Sequence, residues 1–272
     1  MSIIAISRGT FSGGEALATA VAARTGYRCV SREVILEAAW RYKIPENELT
    51  AAMEKRPPLL ERMAGVRKEH LVFVRAALAK YAKDGDLIYH GYLGHLLLPN
   101  VTHVIRVRVI ADMDYRIAAA IERNPGFSRK DAIAYIEKMD KARRQWTRFL
   151  FDVDWNDPSL YDVVLNLSRM SLATACKTVI QLTEREEFRP TPASLKAVDD
   201  LAVGGMVGAA LATDPLTRGA DLEVVADGGA VTITGTTQSP AIVEGVAGIA
   251  KRVPGVKEVR SQVRYLLEGK TP

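Results

Sequence analysis

Residues 2–7 (SIIAIS) form a short apolar strand that runs straight into a glycine-rich turn, residues 7–14 (SRGTFSGG). A helical pattern through Leu17, Val21 and Ala22 opens immediately behind it. Few sequence features restrict a fold as much. Glycines at a strand-to-helix turn let backbone N–H groups point inward, and the helix start adds a field that favours an anion. The spacing GxxxxGK[ST] is nevertheless missed. Counted from Gly9, the lysine position is Glu15 and the hydroxyl position Ala16; counted from Arg8, they are Gly14 and Glu15. From the motif alone, a phosphate loop and a tight turn that holds no ligand both stand.

The alternation of strand and helix continues. Residues 66–83 read as an amphipathic helix, with Leu71, Val74, Leu78 and Tyr81 at three- and four-residue spacing. Asp84-Gly85-Asp86 makes a turn and residues 87–89 a buried strand. Residues 102–109 form another strand, alternating at Val101, His103, Ile105, Val107 and Val109. Helices follow at 113–123 and behind Ser128, a good N-cap; a last strand at 163–166 precedes a helix from Leu172. Strands separated by helices predict an α/β fold, a parallel sheet with helices on both faces.

Residues 188–194 (FRPTPAS) break this pattern, and two prolines there favour an extended connection. The expected organisation is an α/β domain over 1–187, a linker over 188–196 and a small α+β domain over 197–268. The last reads helix (197–212), strand, Asp227-Gly228-Gly229 hairpin, strand, a helix behind Ser239-Pro240 and a final strand over 257–265, an αββαβ order.

Composition narrows the setting. With 48% hydrophobic and 25% charged residues, the chain matches a globular protein rather than a disordered or fibrous one. Arg8 and the glycines interrupt the first apolar run, so no secretion signal or membrane span is read, and a cytoplasmic location is expected. Two cysteines, Cys29 and Cys176, give neither a disulfide scaffold nor a metal spacing. The net charge of +5 is uneven: from Asp199 onward seven basic residues face nine acidic ones. The densest basic run, Lys138 to Arg148, is read either as a solvated helix face or as a clamp on phosphates. Without an RNP-like motif or zinc finger, charge alone supports no nucleic-acid partner.

The segment over residues 4–35 (IAISRGTFSGGEALATAVAARTGYRCVSREVI) resembles the opening of the cytidylate kinase-like family. The resemblance returns at Arg116, at Asp140-Lys141 with Arg143, and from Trp155-Asn156-Asp157-Pro158 through Tyr161-Asp162 to Asn166. It implies a P-loop fold of the nucleoside monophosphate kinase kind with an arginine-rich lid. Phosphoryl transfer from ATP, with Mg2+, to a small nucleotide would be its activity. The implied nucleotide-binding residues are Ser7, Gly9, Thr10, Ser12, Gly13 and Gly14. Arg8 stands in for the lysine, and Arg143, with Lys141 or Arg144, closes over the transferred group. Asp140 would orient those two arginines, with a surface ion pair as its alternative role; His90, Tyr92 and Arg116 would meet the acceptor. Two departures stand out. Phe11 replaces a family glycine and is expected to crowd the turn, and Tyr92 follows Gly91 where relatives carry arginine.

Other residues are read as structural. His103 alternates with apolar neighbours, Trp146 and Trp155 pack, and Asp152, Asp154 and Asp157 serve loop solvation rather than a metal.

Residues 197–267 resemble a BON domain through Asp199-Asp200, Asp214-Pro215, the Asp227-to-Val231 hairpin with Gly235, and Pro254-Gly255-Val256. That resemblance implies a module for a small ligand or phospholipid. Three functions follow: a nucleotide kinase modulated by this module, a nucleotide-binding regulator without turnover, or an envelope or lipid interaction protein.

Overall fold

The computed structural model describes residues 2–54, 66–91 and 94–266; Tyr92 lies outside them. The chain divides into two compact units. One comprises Met1–Glu33, Met53–Arg56 and Asp84–Thr191, the other Val34–Ala52, Pro57–Lys83 and Pro192–Pro272.

The first unit is built on five parallel strands, β1 (Ile3–Arg8), β2 (Arg28–Val30), β3 (Leu87–His90), β4 (Val104–Ile110) and β5 (Val163–Asn166), in the order β2-β3-β1-β4-β5. This is the α/β sheet that the alternation of strands and helices predicts. β1 lies between β3 and β4, with Ile6 opposite both His90 and Val107. Period-2 alternation sends Ile4, Ile6, Ile105, Val107 and Val109 to one face. There they bury against Leu17 and Val21 of the helix Gly14–Thr25 and Cys176 and Val179 of the helix Leu172–Thr183. The other face carries Arg106 and Arg108 and the short helix Gly94–Leu97. The helices Met113–Arg123 and Arg129–Phe151 pack on each other through Ile117, Ala120, Ala132 and Ile136. Ser128 caps the second with a reciprocal capping box to Asp131, as its sequence signature predicts.

The second unit contains a three-stranded sheet, β6 (Leu222–Asp227), β7 (Ala230–Thr237) and β8 (Glu258–Tyr265), with β6–β7 antiparallel and β7–β8 parallel. Gly228 and Gly229 both have positive φ, as a two-residue hairpin turn with right-handed strand twist requires. Asp200 accepts from the Gly228 amide at 2.7 Å and fixes that hairpin to the preceding helix. With the helix Pro240–Lys251, this region has the expected αββαβ order.

Two expectations differ from what is found. The helix of this module begins at Pro192, inside the segment read as linker, because a first-turn proline gives up an N–H that has no helical acceptor anyway. Also, residues 34–52 and 66–83 group with the C-terminal unit rather than with the sheet that flanks them in sequence. The helix Val66–Lys83 packs along the helix Pro192–Thr213. At Gly205 an added Cβ would stand 2.9 Å from the Ala76 Cα, so only glycine permits this approach. Lys83 and Asp199 pair at 2.8 Å at one end of the contact. Among the described residues, no helix is long and apolar enough to cross a membrane.

Candidate active site at the glycine turn

The turn is closed by its own backbone. The Gly9 amide reaches the Val109 carbonyl at 3.3 Å and the Ser12 amide the Gly9 carbonyl at 3.2 Å. The fully buried Ser12 hydroxyl lies 2.9 Å from the Gly9 carbonyl and 3.0 Å from that of Val109. Its role is therefore to hold the turn rather than to face a ligand. Gly13 (φ 87) caps the first helix with no side-chain acceptor on the helix amides. Those amides remain as donors at the positive end of the helix.

Phe11 does not crowd the mouth. Its left-handed backbone (φ 59) turns the ring outward against Tyr135, 5.9 Å between centroids, into the cluster that joins the two helices beyond β4. The phenylalanine anchors the turn where the family pattern has glycine.

Arg8 lies across Gly14 so tightly that only glycine fits there. Its guanidinium is largely buried, and the Nε finds no hydrogen-bond partner among the described residues. Burial first, and then the nearby Arg143, pushes its pKa below the usual arginine value. Glu15, which stands at the lysine position, is turned away and pairs with Arg123 at 2.7 Å.

The long helix Arg129–Phe151 reaches back to the turn through Asp140 and Arg143, with Tyr135 against the Phe11 ring. Asp140 Oδ1 accepts from the Thr10 amide at 3.1 Å and from its hydroxyl at 2.7 Å, while Oδ2 pairs with Arg116. Arg116 Nε donates to the Thr10 carbonyl at 2.7 Å, and Arg143 donates to the Thr10 hydroxyl at 3.0 Å. Asp140 is thus the partner of Arg116, not the orienting group expected for Arg143 and Arg144. Arg144 is exposed and 4.0 Å from Asp154, and Lys141 is exposed. Arg116 lies against the turn.

His90 ends β3, and its Nδ1 is buried without a hydrogen-bond partner among the described residues. Burial, and then Arg8, holds its pKa below the ordinary imidazole value. The Ser7 hydroxyl faces the other side, 3.3 Å from Arg108 and 3.4 Å from the Tyr161 hydroxyl.

Arg108 is the residue that sequence reading misses. It is 5% exposed, stacks 4.1 Å over the Trp155 ring and reaches Asn156 at 3.2 Å. His95 packs on Tyr161 beside it, 4.9 Å between rings. Burial and then Arg106 and Arg108 lower the pKa of His95 to about 4. Burial lowers the pKa of Arg108 as well; Asp140 raises it, while Arg116 and Arg143 lower it, which places these charges in one field. Three guanidinium groups, those of Arg108, Arg116 and Arg143, therefore share one field with Asp140.

The profile described as the cytidylate kinase-like family matches residues 3–169, and that of the BON domain matches residues 199–266. Among curated proteins, none matches significantly. The crystal structure of an uncharacterized protein from Eubacterium ventriosum ATCC 27560 shares the fold, with a TM-score of 0.55 at 20% identity, over 68% of this chain and 100% of that one. Shikimate kinase from Bacteroides thetaiotaomicron aligns at 13% identity with a TM-score of 0.42, over 68% of this chain and 99% of that one.

Proposed function

Since the chain belongs to the cytidylate kinase-like family, we propose that it transfers a phosphoryl group from ATP to a small nucleotide at the glycine turn, and that the BON module modulates this activity. One observation supports the reading above the others: Arg8 crosses the start of the first helix at Gly14, while Arg116 and Arg143 meet Asp140 at Thr10 of the same turn. A surplus of buried positive charge calls for a polyanion. Phosphoryl transfer needs little covalent help, and positioning with charge neutralisation supplies most of the rate.

The amides of Gly14 and its successors would take the donor phosphates, and Arg8 would supply the charge that a lysine gives elsewhere. Arg143 and Arg116 would hold the group in transit, and His90 would face the acceptor. Magnesium enters such reactions with the triphosphate. The residues of this turn do not fit it, since Ala16 holds the hydroxyl position and Glu15 is committed to Arg123. The same two residues favour a second reading, nucleotide binding without turnover.

For the BON module, support comes from a cleft of about 560 Å3 in the second unit, lined by Tyr42, Met206 and Ile249 with Arg41, Asp214 and Arg252 at its polar side. Its size suits a small ligand.

Calorimetric titration with ATP and magnesium, joined to an assay of ADP release over a panel of nucleoside monophosphates, tests the proposal. CMP-dependent release supports the kinase. Binding without release favours the regulator, and no binding at millimolar ATP removes both.

A further inference from the structure

The contacts at Thr10 go beyond a lid closing over a turn. The Asp140 carboxylate takes the Thr10 amide, the Thr10 hydroxyl and the Arg116 guanidinium, with Arg143 one hydroxyl away. These are the donors that an oxyanion would use: a backbone N–H, a hydroxyl and cationic forks. They are also held in place without Asp140. Arg116 is anchored by its Nε to the Thr10 carbonyl, and Thr10 is fixed from the next residue by the Phe11 ring in its apolar cluster. A cradle that keeps its shape when its occupant leaves is preorganised for exchange.

We propose that Thr10, Arg116 and Arg143 form a phosphoryl-oxyanion cradle, separate from the amides at Gly14, and that Asp140 fills it as an internal competitor which the phosphoryl group displaces. The inference rests on reading this turn as a phosphate site and adds its regulation. A phosphoryl group carries more negative charge than the single carboxylate and has an oxygen to spare for Arg143. Once it is seated, repulsion drives Asp140 out of the cradle and breaks its tether to Thr10. The site then discriminates against weak anions, because any ligand must first outcompete a tethered carboxylate.

The test uses the full chain with inorganic phosphate as the probe. Asp140→Asn keeps the shape but removes the charge, so phosphate should bind roughly tenfold tighter than to wild type by calorimetry. Equal or weaker phosphate binding by a folded Asp140→Asn variant overturns the proposal. Should the variant fail to fold, hydrogen exchange on the wild type decides. On adding phosphate, amides around Asp140 should exchange faster while that of Thr10 stays protected; unchanged or slower exchange around Asp140 overturns the proposal. ATP turnover by the wild type, measured alongside, shows whether the phosphoryl-transfer reading falls with it.

Discussion

The side chain of Arg8 crosses Gly14 so closely that a Cβ at Gly14 would lie 2.7 Å from both the Cβ and the Cδ of Arg8. The Cβ is rooted in the backbone and cannot swing aside, so Gly14→Ala must move the strand end or the helix start. We expect about tenfold weaker ATP binding and a loss of about 1–3 kcal/mol of stability, read by calorimetry and thermal unfolding. Unaltered ATP affinity would show that Arg8 does not serve the phosphates.

Arg143 and Arg144 are adjacent in sequence but differ in what they reach. Arg143→Ala removes the donor at the Thr10 hydroxyl and should lower turnover by about a hundredfold or more. Arg144→Ala breaks only an exposed pair with Asp154 and should change stability by less than about 0.5 kcal/mol and leave turnover intact. Steady-state kinetics on the two variants separates them, and equal effects would refute the assignment.

His95 makes stability depend on pH. Its pKa falls from 6.5 to about 4 on folding, so the folded protein keeps the ring neutral where the unfolded chain takes up a proton. Stability is therefore complete above pH 6.5 and drains away as the pH drops toward 4, by roughly 3 kcal/mol from this residue. Denaturant titrations between pH 7 and 4 should show a shallower loss for His95→Phe than for wild type.

In the second unit, Gly205 faces backbone and Gly208 faces a side chain. A Cβ on Gly205 would meet the Ala76 Cα at 2.9 Å, whereas one on Gly208 would meet the Val72 Cγ1 at 2.8 Å. Gly205→Val should destabilise by about 1–3 kcal/mol. Gly208→Ala should cost less, since Val72 can turn and a helix gains from alanine. Comparable unfolding midpoints for the two variants would contradict this packing.

Elements that carry their own pattern are legible in the sequence. The strand expected at 102–109 occurs at Val104–Ile110, and Ser128 caps the helix that follows it. The short strand Arg28–Val30 and the helices Arg32–Tyr42 and Glu46–Glu54 do not announce themselves by periodicity. Pro192 reads as a breaker in isolation and becomes a helix start only because nothing upstream competes for its first turn. By alternation alone, Arg108 belongs to the solvent side of its strand. Its burial depends on Trp155 and Tyr161, which arrive much later in the chain. Phe11 misleads for a similar reason: its direction follows from one positive φ and a distant aromatic partner, neither of which spacing encodes. The pairing of Asp140 with Arg116 across the turn is likewise a product of tertiary placement, whereas a helix neighbour such as Arg143 is what sequence proximity suggests.

The close approach of Gly205 to Ala76 has a consequence for the protein's synthesis. The helix Val66–Lys83 leaves the ribosome long before the helix Pro192–Thr213 on which it packs. At ordinary translation speeds that interval lasts roughly 5–20 s, far longer than a helix needs to form. During that time the flank of the nascent helix that faces Gly205 waits for its partner to be made. A gene cut after residue 187 would make that wait permanent.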